Sequence, residues 1–173
     1  STPLYSSAAS DVYKRQGTRC GSVDASAVTY IGEKEGMTYA ELNEMMNKRS
    51  GVLGLTGLSS DMRDIDRAYD EGNPEAILAR DMHYRRIKKF VGEYAAEMGG
   101  VDLIVFTGGV GENSSEMRES VCEGLEFMGV HFDKAANQGA RGVNKMLSTP
   151  DSKVKVAMIA TNEELVIATD TYN

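Results

Sequence analysis

The chain of 173 residues alternates helical and extended patterns, without low-complexity linkers or internal repeats, which predicts an α/β protein. Three observations carry that expectation. Val101, Leu103, Ile104, Val105 and Phe106 form a nearly continuous β-branched and aromatic run, the pattern of a strand buried on both faces. A second extended run, Lys153 to Ala160, leads into Thr161, which with Glu164 has the spacing of a helix capping box. Between and before these runs lie helical stretches with their own start and stop signals.

Taken in order, Ser1 to Gln16 (STPLYSSAASDVYKRQ) has no apolar period and is too polar for a signal-peptide core. It reads as a translated cloning or sequencing adapter, or as a disordered native tail, and the natural sequence is expected to begin near Gly17. Thr38 with Glu41 forms a capping box for a helix ending near Ser50 and Gly51. Gly51 to Gly57 (GVLGLTG) reads as a small apolar, turn-rich segment. A short helix is expected from Asp61 to Tyr69, stopping at Gly72. Asn73 then caps a long helix with Pro74 in its first turn and Gly99-Gly100 at its end. Its expected inward stripe is Ile77, Leu78, Met82, Ile87, Phe90, Val91, Tyr94, Ala95 and Met98. The central strand follows, then a glycine-rich turn, then a helix capped by Ser114 or Ser115 that continues through Met117, Val121, Leu125 and Met128.

Length and composition suit one ordinary domain, with 41% hydrophobic and 26% charged residues. The formal net charge of -7 argues against a general nucleic-acid or anionic-membrane binder, and no apolar run reaches membrane-spanning length. Cys20 and Cys122 lie far apart without clustered ligands, as reduced thiols of a cytosolic protein do. His83 and His131 are isolated and fit a core edge or surface better than a metal site. Met45, Met46 and Met146 read as core filler.

The chemistry concentrates in Thr107, Gly108, Gly109, Val110, Gly111, Glu112 and Asn113. A strand, a glycine-rich turn and a helix start can bind phosphate, because glycines let backbone N–H groups approach an anion. The same residues can equally be a tight strand-to-helix turn with glycines chosen for backbone freedom. On this segment alone both readings stand.

Four blocks break the tie: GTRCGSVDASAVTYI (Gly17 to Ile31), SGVLGLTGLSSDMRDI (Ser50 to Ile65), VDLIVFTGGVGENSSEMRE (Val101 to Glu119) and TNEELVIATDT (Thr161 to Thr171). In order and spacing they closely resemble successive blocks of the acetate kinases, and the likeness covers essentially everything after Gln16. That family belongs to the actin-like ATPase and sugar-kinase superfamily, built of two duplicated α/β domains closing on a nucleotide. The resemblance implies an actin-like, ribonuclease H-like domain with a mixed central sheet flanked by helices. It identifies residues 17–173 with the C-terminal domain and implies that the N-terminal half is absent. The strand near Leu103 to Thr107 is then expected in the sheet interior, with the long helix packed across it.

The resemblance also implies the site. Arg19, in the GTR block, corresponds to the arginine that binds the carboxylate or acyl-phosphate end and steadies the phosphoryl group in flight. A planar guanidinium suits that task. The family continues this block with Asp and Pro, whereas this chain has Ser22 and Ala25. Without the resemblance Arg19 would read as a solvated cation near Asp24. Asp61, Met62 and Arg63 match the nucleotide-contacting DFR of the family, with methionine in place of phenylalanine; read alone, Asp61 is a helix cap. Gly109, Val110, Gly111, Glu112 and Asn113 match the phosphate-side nucleotide loop, although a glutamate beside phosphates is repelled unless a cation intervenes. Glu163 matches the acidic residue that holds magnesium, while a glutamate in a first helical turn is favoured by the helix dipole in any case.

The implied reaction is reversible phosphoryl transfer from ATP to acetate, giving acetyl phosphate and ADP, in a cytoplasmic homodimer with no nucleic-acid or membrane partner. The family's catalytic aspartate, second arginine and histidines belong to the absent half, so the fragment is expected to be inactive alone. A propionate or butyrate kinase, an inert nucleotide-binding or dimerisation module, and an actin-like scaffold remain as alternatives. Asp61 to Arg63, Gly109 to Asn113 and Glu163 are expected to line one groove.

Overall fold

The computed structural model describes residues 17–162, together with Ala168 and Thr171. The expectations for residues 1–16 and for Glu163 and Glu164 lie outside that range. The chain divides into two compact units, one up to His83 and one from Tyr84 onward.

In the first unit, α1 (Ala25–Lys34) is capped by Asp24 and α2 (Tyr39–Lys48) by Thr38. The expected capping box is present in full: the Thr38 hydroxyl accepts from Glu41 N–H, and Glu41 accepts from Thr38 N–H at 2.7 Å. Gly51 to Gly57 is not a turn-rich link but a short helix, α3 (Gly51–Thr56). Its i→i+4 bonding begins with Gly54 N–H to the Ser50 carbonyl, and Gly57, at φ 65°, closes it in the left-handed region that suits glycine. Next, α4 (Met62–Asp70) is capped by Asp61. The core of this unit joins Val52, Ile65, Ala76 and Ala79, with Met62, Ala68 and Tyr69 packed against them.

The helix α5 (Pro74–Glu97) starts as expected, with the Asn73 side chain accepting from Ala76 N–H at 2.9 Å, and ends before the left-handed Gly99 and Gly100. Its burial differs from the expectation. The fully inward residues include Ala76, Ala79, Tyr84 and Ala95, whereas Ile77, Leu78, Met82, Tyr94 and Met98 are exposed. Ala76 and Ala79 join Val52 and Ile65 in the core, so the inward face of this half of the helix is built of small side chains.

The second unit holds a three-stranded mixed sheet in the order β1–β3–β2 among the described residues. Its strands are β1 (Leu103–Phe106), β2 (Lys145–Met146) and β3 (Lys155–Met158). β1 pairs parallel with β3, Ile104 opposite Val156, and β2 pairs antiparallel with β3. The centre is therefore β3, and β1 takes an edge rather than the interior. It is buried on one face only: Ile104 and Phe106 point inward, Leu103 and Val105 outward. The apolar run was continuous because its outward residues are also large and branched.

After β1 come α6 (Gly108–Asn113) and α7 (Ser115–Cys122), the latter capped by Ser114, whose hydroxyl accepts from Met117 N–H. The helix stops at Cys122, short of Leu125 and Met128, because Gly124 turns left-handed and one 3₁₀ turn, Glu126–Met128, follows. His131 lies between isolated bridges at Val130 and Phe132, and α8 (Lys134–Asn137) completes the described elements. Met117, Val121, Cys122, Leu125, Leu147, Val156 and Met158 form the buried heart of this unit. Both cysteines are free thiols, and burial pushes Cys122 up to about 12, which makes it a small core residue rather than a nucleophile. Met146 is exposed, so it is not core filler.

Candidate functional site

In the first unit the structure brings two of the sequence blocks together. The segment around Arg19 is pinned on both sides. Cys20 N–H donates to the Met46 carbonyl at 2.8 Å, the Thr18 carbonyl accepts from Ser50 N–H at 2.9 Å, and the Thr18 hydroxyl donates to the Asn47 carbonyl at 2.9 Å. Gly17 lies so close to Ser60 that a Cβ there would stand 2.7 Å from the Ser60 Cβ. The block beginning at Gly17 thus abuts the residue just before Asp61. Between its anchored neighbours, the Arg19 side chain is exposed. Its backbone is held while its guanidinium stays open to a ligand.

Asp61 does two things with one carboxylate. It caps α4 through Arg63 N–H at 2.9 Å and receives the Arg63 guanidinium, whose Nε lies 3.1 Å from both carboxylate oxygens. The hydrogen bonds from the Arg63 side chain, then from its backbone, hold the Asp61 carboxyl at about 2, against an ordinary value of 3.8. Met62 is half-buried against the core of this unit, and the Arg63 side chain is exposed.

In the second unit, α6 carries the glycine-rich motif. Gly108 has φ 72°, which requires glycine. A Cβ on Gly111 would sit 3.2 Å from the Phe106 carbonyl carbon, so glycine there lets the turn pack on β1. Gly109 is different: among the described residues nothing lies within 4 Å of where its Cβ would stand, and its φ is ordinary. Neither packing nor backbone conformation asks for glycine at that position. Val110 is half-buried, and Asn113, exposed, donates its amide to the Gly109 carbonyl at 2.8 Å.

Glu112 is buried, and its Oε1 accepts three hydrogen bonds, from Gly108 N–H at 2.9 Å, Thr161 N–H at 2.8 Å and the Thr161 hydroxyl at 2.9 Å. The bonds from Thr161, foremost that from its backbone, hold the carboxyl below its usual range. Thr161 thus donates both its amide and its hydroxyl to Glu112.

A residue not singled out from the sequence supports the same turn. Arg118 is fully buried and donates from Nη1 to the Gly111 carbonyl at 2.7 Å, from Nη2 to the Ala140 carbonyl at 2.8 Å and from Nε to Asn137 Oδ1 at 2.8 Å. Asn137 in turn donates to the Ser115 carbonyl at 2.8 Å. Burial lowers the Arg118 pKa, and its hydrogen-bonding partners are neutral oxygens. The signal was there: Arg118 precedes Val121 by three and Cys122 by four, which puts a cation on the inward face of α7.

Asp61 to Arg63 belong to the first unit, Gly109 to Asn113 to the second, and Glu163 lies outside the described residues. Among the described residues no group of three or more His, Cys, Asp or Glu could hold a metal ion, and no helix is long and apolar enough to cross a membrane.

Comparison with known proteins accounts for this combination of a glycine turn, a pinned arginine segment and a mixed sheet. The acetate kinase of Bacteroides thetaiotaomicron is 57% identical over 157 residues, which is 91% of this chain and 39% of that protein. The crystal structure of Porphyromonas gingivalis acetate kinase aligns with TM-score 0.87 at 52% identity, over 90% of this chain and 39% of that one. A propionate kinase from Francisella tularensis aligns with TM-score 0.79 at 35% identity, over 89% and 39%. The chain therefore spans about two-fifths of the length of the relatives it matches, and its fold is that of the actin-like ATPases. A profile described as the Acetokinase family matches residues 15–169, and with that extent and those identities the chain belongs to the acetokinase family.

Proposed function

We propose that this chain is the C-terminal, nucleotide-binding portion of an acetate kinase, which reversibly transfers the terminal phosphoryl group of ATP to acetate. Membership of a family whose relatives above are named acetate or propionate kinases carries the reading. Gly109 supports it locally, because a glycine that the fold does not need leaves room for a phosphate to approach the backbone. In this reading Gly109, Val110 and Asn113 face the phosphates, Gly111 lets their turn pack on β1, and Asp61, Met62 and Arg63 meet the ribose and base. Glu112 belongs to the same loop.

An acetate oxygen attacks the γ-phosphorus, the bond to the β–γ bridging oxygen breaks, and its electron pair leaves with ADP. No covalent intermediate on the protein is needed. Catalysis is then positioning and charge stabilisation. Arg19 spreads two donors over the oxygens of the transferring group, a geometry its anchored backbone and exposed side chain permit. Magnesium, held through Glu163, would supply charge neutralisation of the phosphates.

We place the complete protein in the cytoplasm as a homodimer. The crystal structure of a whole relative gives the frame for this reading, since the chain covers only about two-fifths of that protein. The chain by itself is expected to be catalytically silent. The test is a graft of residues 17–173 into the P. gingivalis acetate kinase in place of the matching segment. Acetyl phosphate formation from ATP and acetate is the expected result, and a folded but inactive graft would overturn the reading. The Francisella neighbour favours a second acceptor, propionate, and the ratio of kcat/KM for acetate and propionate in the complete parent protein decides between them.

A further inference from the structure

We infer that Glu112 is a positioning residue, a latch that fastens the turn after β1 to the loop after β3 through Thr161 and so holds the phosphate-side loop in its binding shape. This inference rests on the nucleotide reading of that loop. Its geometry comes from four residues. Thr107 stands at the start of α6 but contributes no side-chain cap. The first amide of the turn, at Gly108, is satisfied instead by Glu112 from four residues later, at 2.9 Å. The same oxygen takes the backbone and hydroxyl of Thr161, 49 residues away in sequence.

Thr161 follows β3, the parallel neighbour of β1. The latch therefore ties together the carboxyl ends of two adjacent parallel strands, the place where open α/β sheets bind ligands. A carboxylate beside phosphates is unfavourable if its charge faces them. Here one oxygen is committed to three internal donors, so its charge organises the loop. Because all three donors converge on Oε1, a glutamine carbonyl could take them with the same atom.

The test uses the graft described above. Glu112→Ala should raise KM for ATP by about tenfold or more, as loss of a buried charged acceptor implies, with KM for acetate nearly unchanged. Glu112→Gln should recover most of that loss. Thr161→Val removes only the hydroxyl and should raise KM for ATP by a smaller factor, and the double variant Glu112→Ala/Thr161→Val should be no worse than Glu112→Ala alone. Hydrogen exchange gives a readout independent of turnover: amides in the peptides containing Gly108 and Thr161 should exchange faster in Glu112→Ala.

A loss of folded protein would lower kcat without moving KM for ATP. A direct nucleotide contact would leave Thr161→Val neutral and the two changes additive, and either pattern would overturn the latch. So would unchanged exchange at Gly108 and Thr161. An unmutated graft that folds without activity refutes the nucleotide reading instead, and exchange then decides the latch alone.

Discussion

The guanidinium of Arg118 meets the carbonyl of Gly111 at 2.7 Å from the buried side of the turn, so a cation with no exposure supports the backbone of the glycine motif. Removing that side chain leaves the Gly111 and Ala140 carbonyls and Asn137 Oδ1 without their donor. Arg118→Ala should therefore destabilise the second unit by about 3 kcal/mol or more, the cost of a cavity together with stranded acceptors. Arg118→Lys should recover little, since an ammonium cannot reach three acceptors arranged around a plane. Urea denaturation of the three proteins measures this directly, and equal midpoints would deny Arg118 its role.

The glycines of the motif should separate by experiment. Gly111→Ala pushes a Cβ against the Phe106 backbone and should cost about 1–3 kcal/mol in stability, as overpacking does. Gly109→Ala meets nothing in the fold and should leave the melting temperature unchanged while weakening ADP binding to the graft. Calorimetry of both variants checks the contrast. Full ADP affinity in a folded Gly109→Ala variant would remove that position from the ligand surface.

Asp61 offers a pH signature. Its carboxyl titrates near 2 because the Arg63 side chain and backbone bond to the charged form. A carboxyl depressed on folding contributes stability above its unfolded value, near 3.8, and loses it as pH falls towards 2. Arg63→Ala removes the largest cause, so the Asp61 midpoint should move up towards 3.8. Carbon-detected NMR titration of the side-chain carboxyl reads the shift, and an unmoved midpoint would show that the backbone cap alone sets it.

For Arg19 the expected signature is kinetic. In the graft, Arg19→Ala should depress kcat by at least about a hundredfold while KM for ATP changes little, because its proposed partner is the transferring group. Arg19→Lys should restore only part of the loss. Near-normal turnover for Arg19→Ala would leave the segment as scaffold.

What could be read from the sequence was local. The Thr38–Glu41 box, the Asp61 cap, the Asn73-Pro74 start and the Ser114 cap all depend on residues within a few positions, and each is found where the spacing puts it. What depended on distant partners was not legible. The pairing of β1 is with β3, about fifty residues on, and the inward turn of Ala76 and Ala79 depends on Val52 and Ile65 from earlier helices. Candidate site residues could be proposed from the four sequence blocks, but the internal bonds of Glu112 could not be read there, since Thr161 lies 49 positions away. The inward placement of Arg118 was legible in its spacing to Val121 and Cys122, but its acceptors at Ala140 and Asn137, about twenty positions away, were not.

The burial of Arg118 has a consequence for how the loop behaves in salt. Mobile ions cannot crowd around a charge enclosed by protein, so its field on the Gly111 peptide is not erased as ionic strength rises. A surface lysine at the same distance would lose much of its influence at physiological salt. The support that Arg118 gives the Gly111 backbone is in this way built into the interior of the turn rather than its rim, where added salt screens it least.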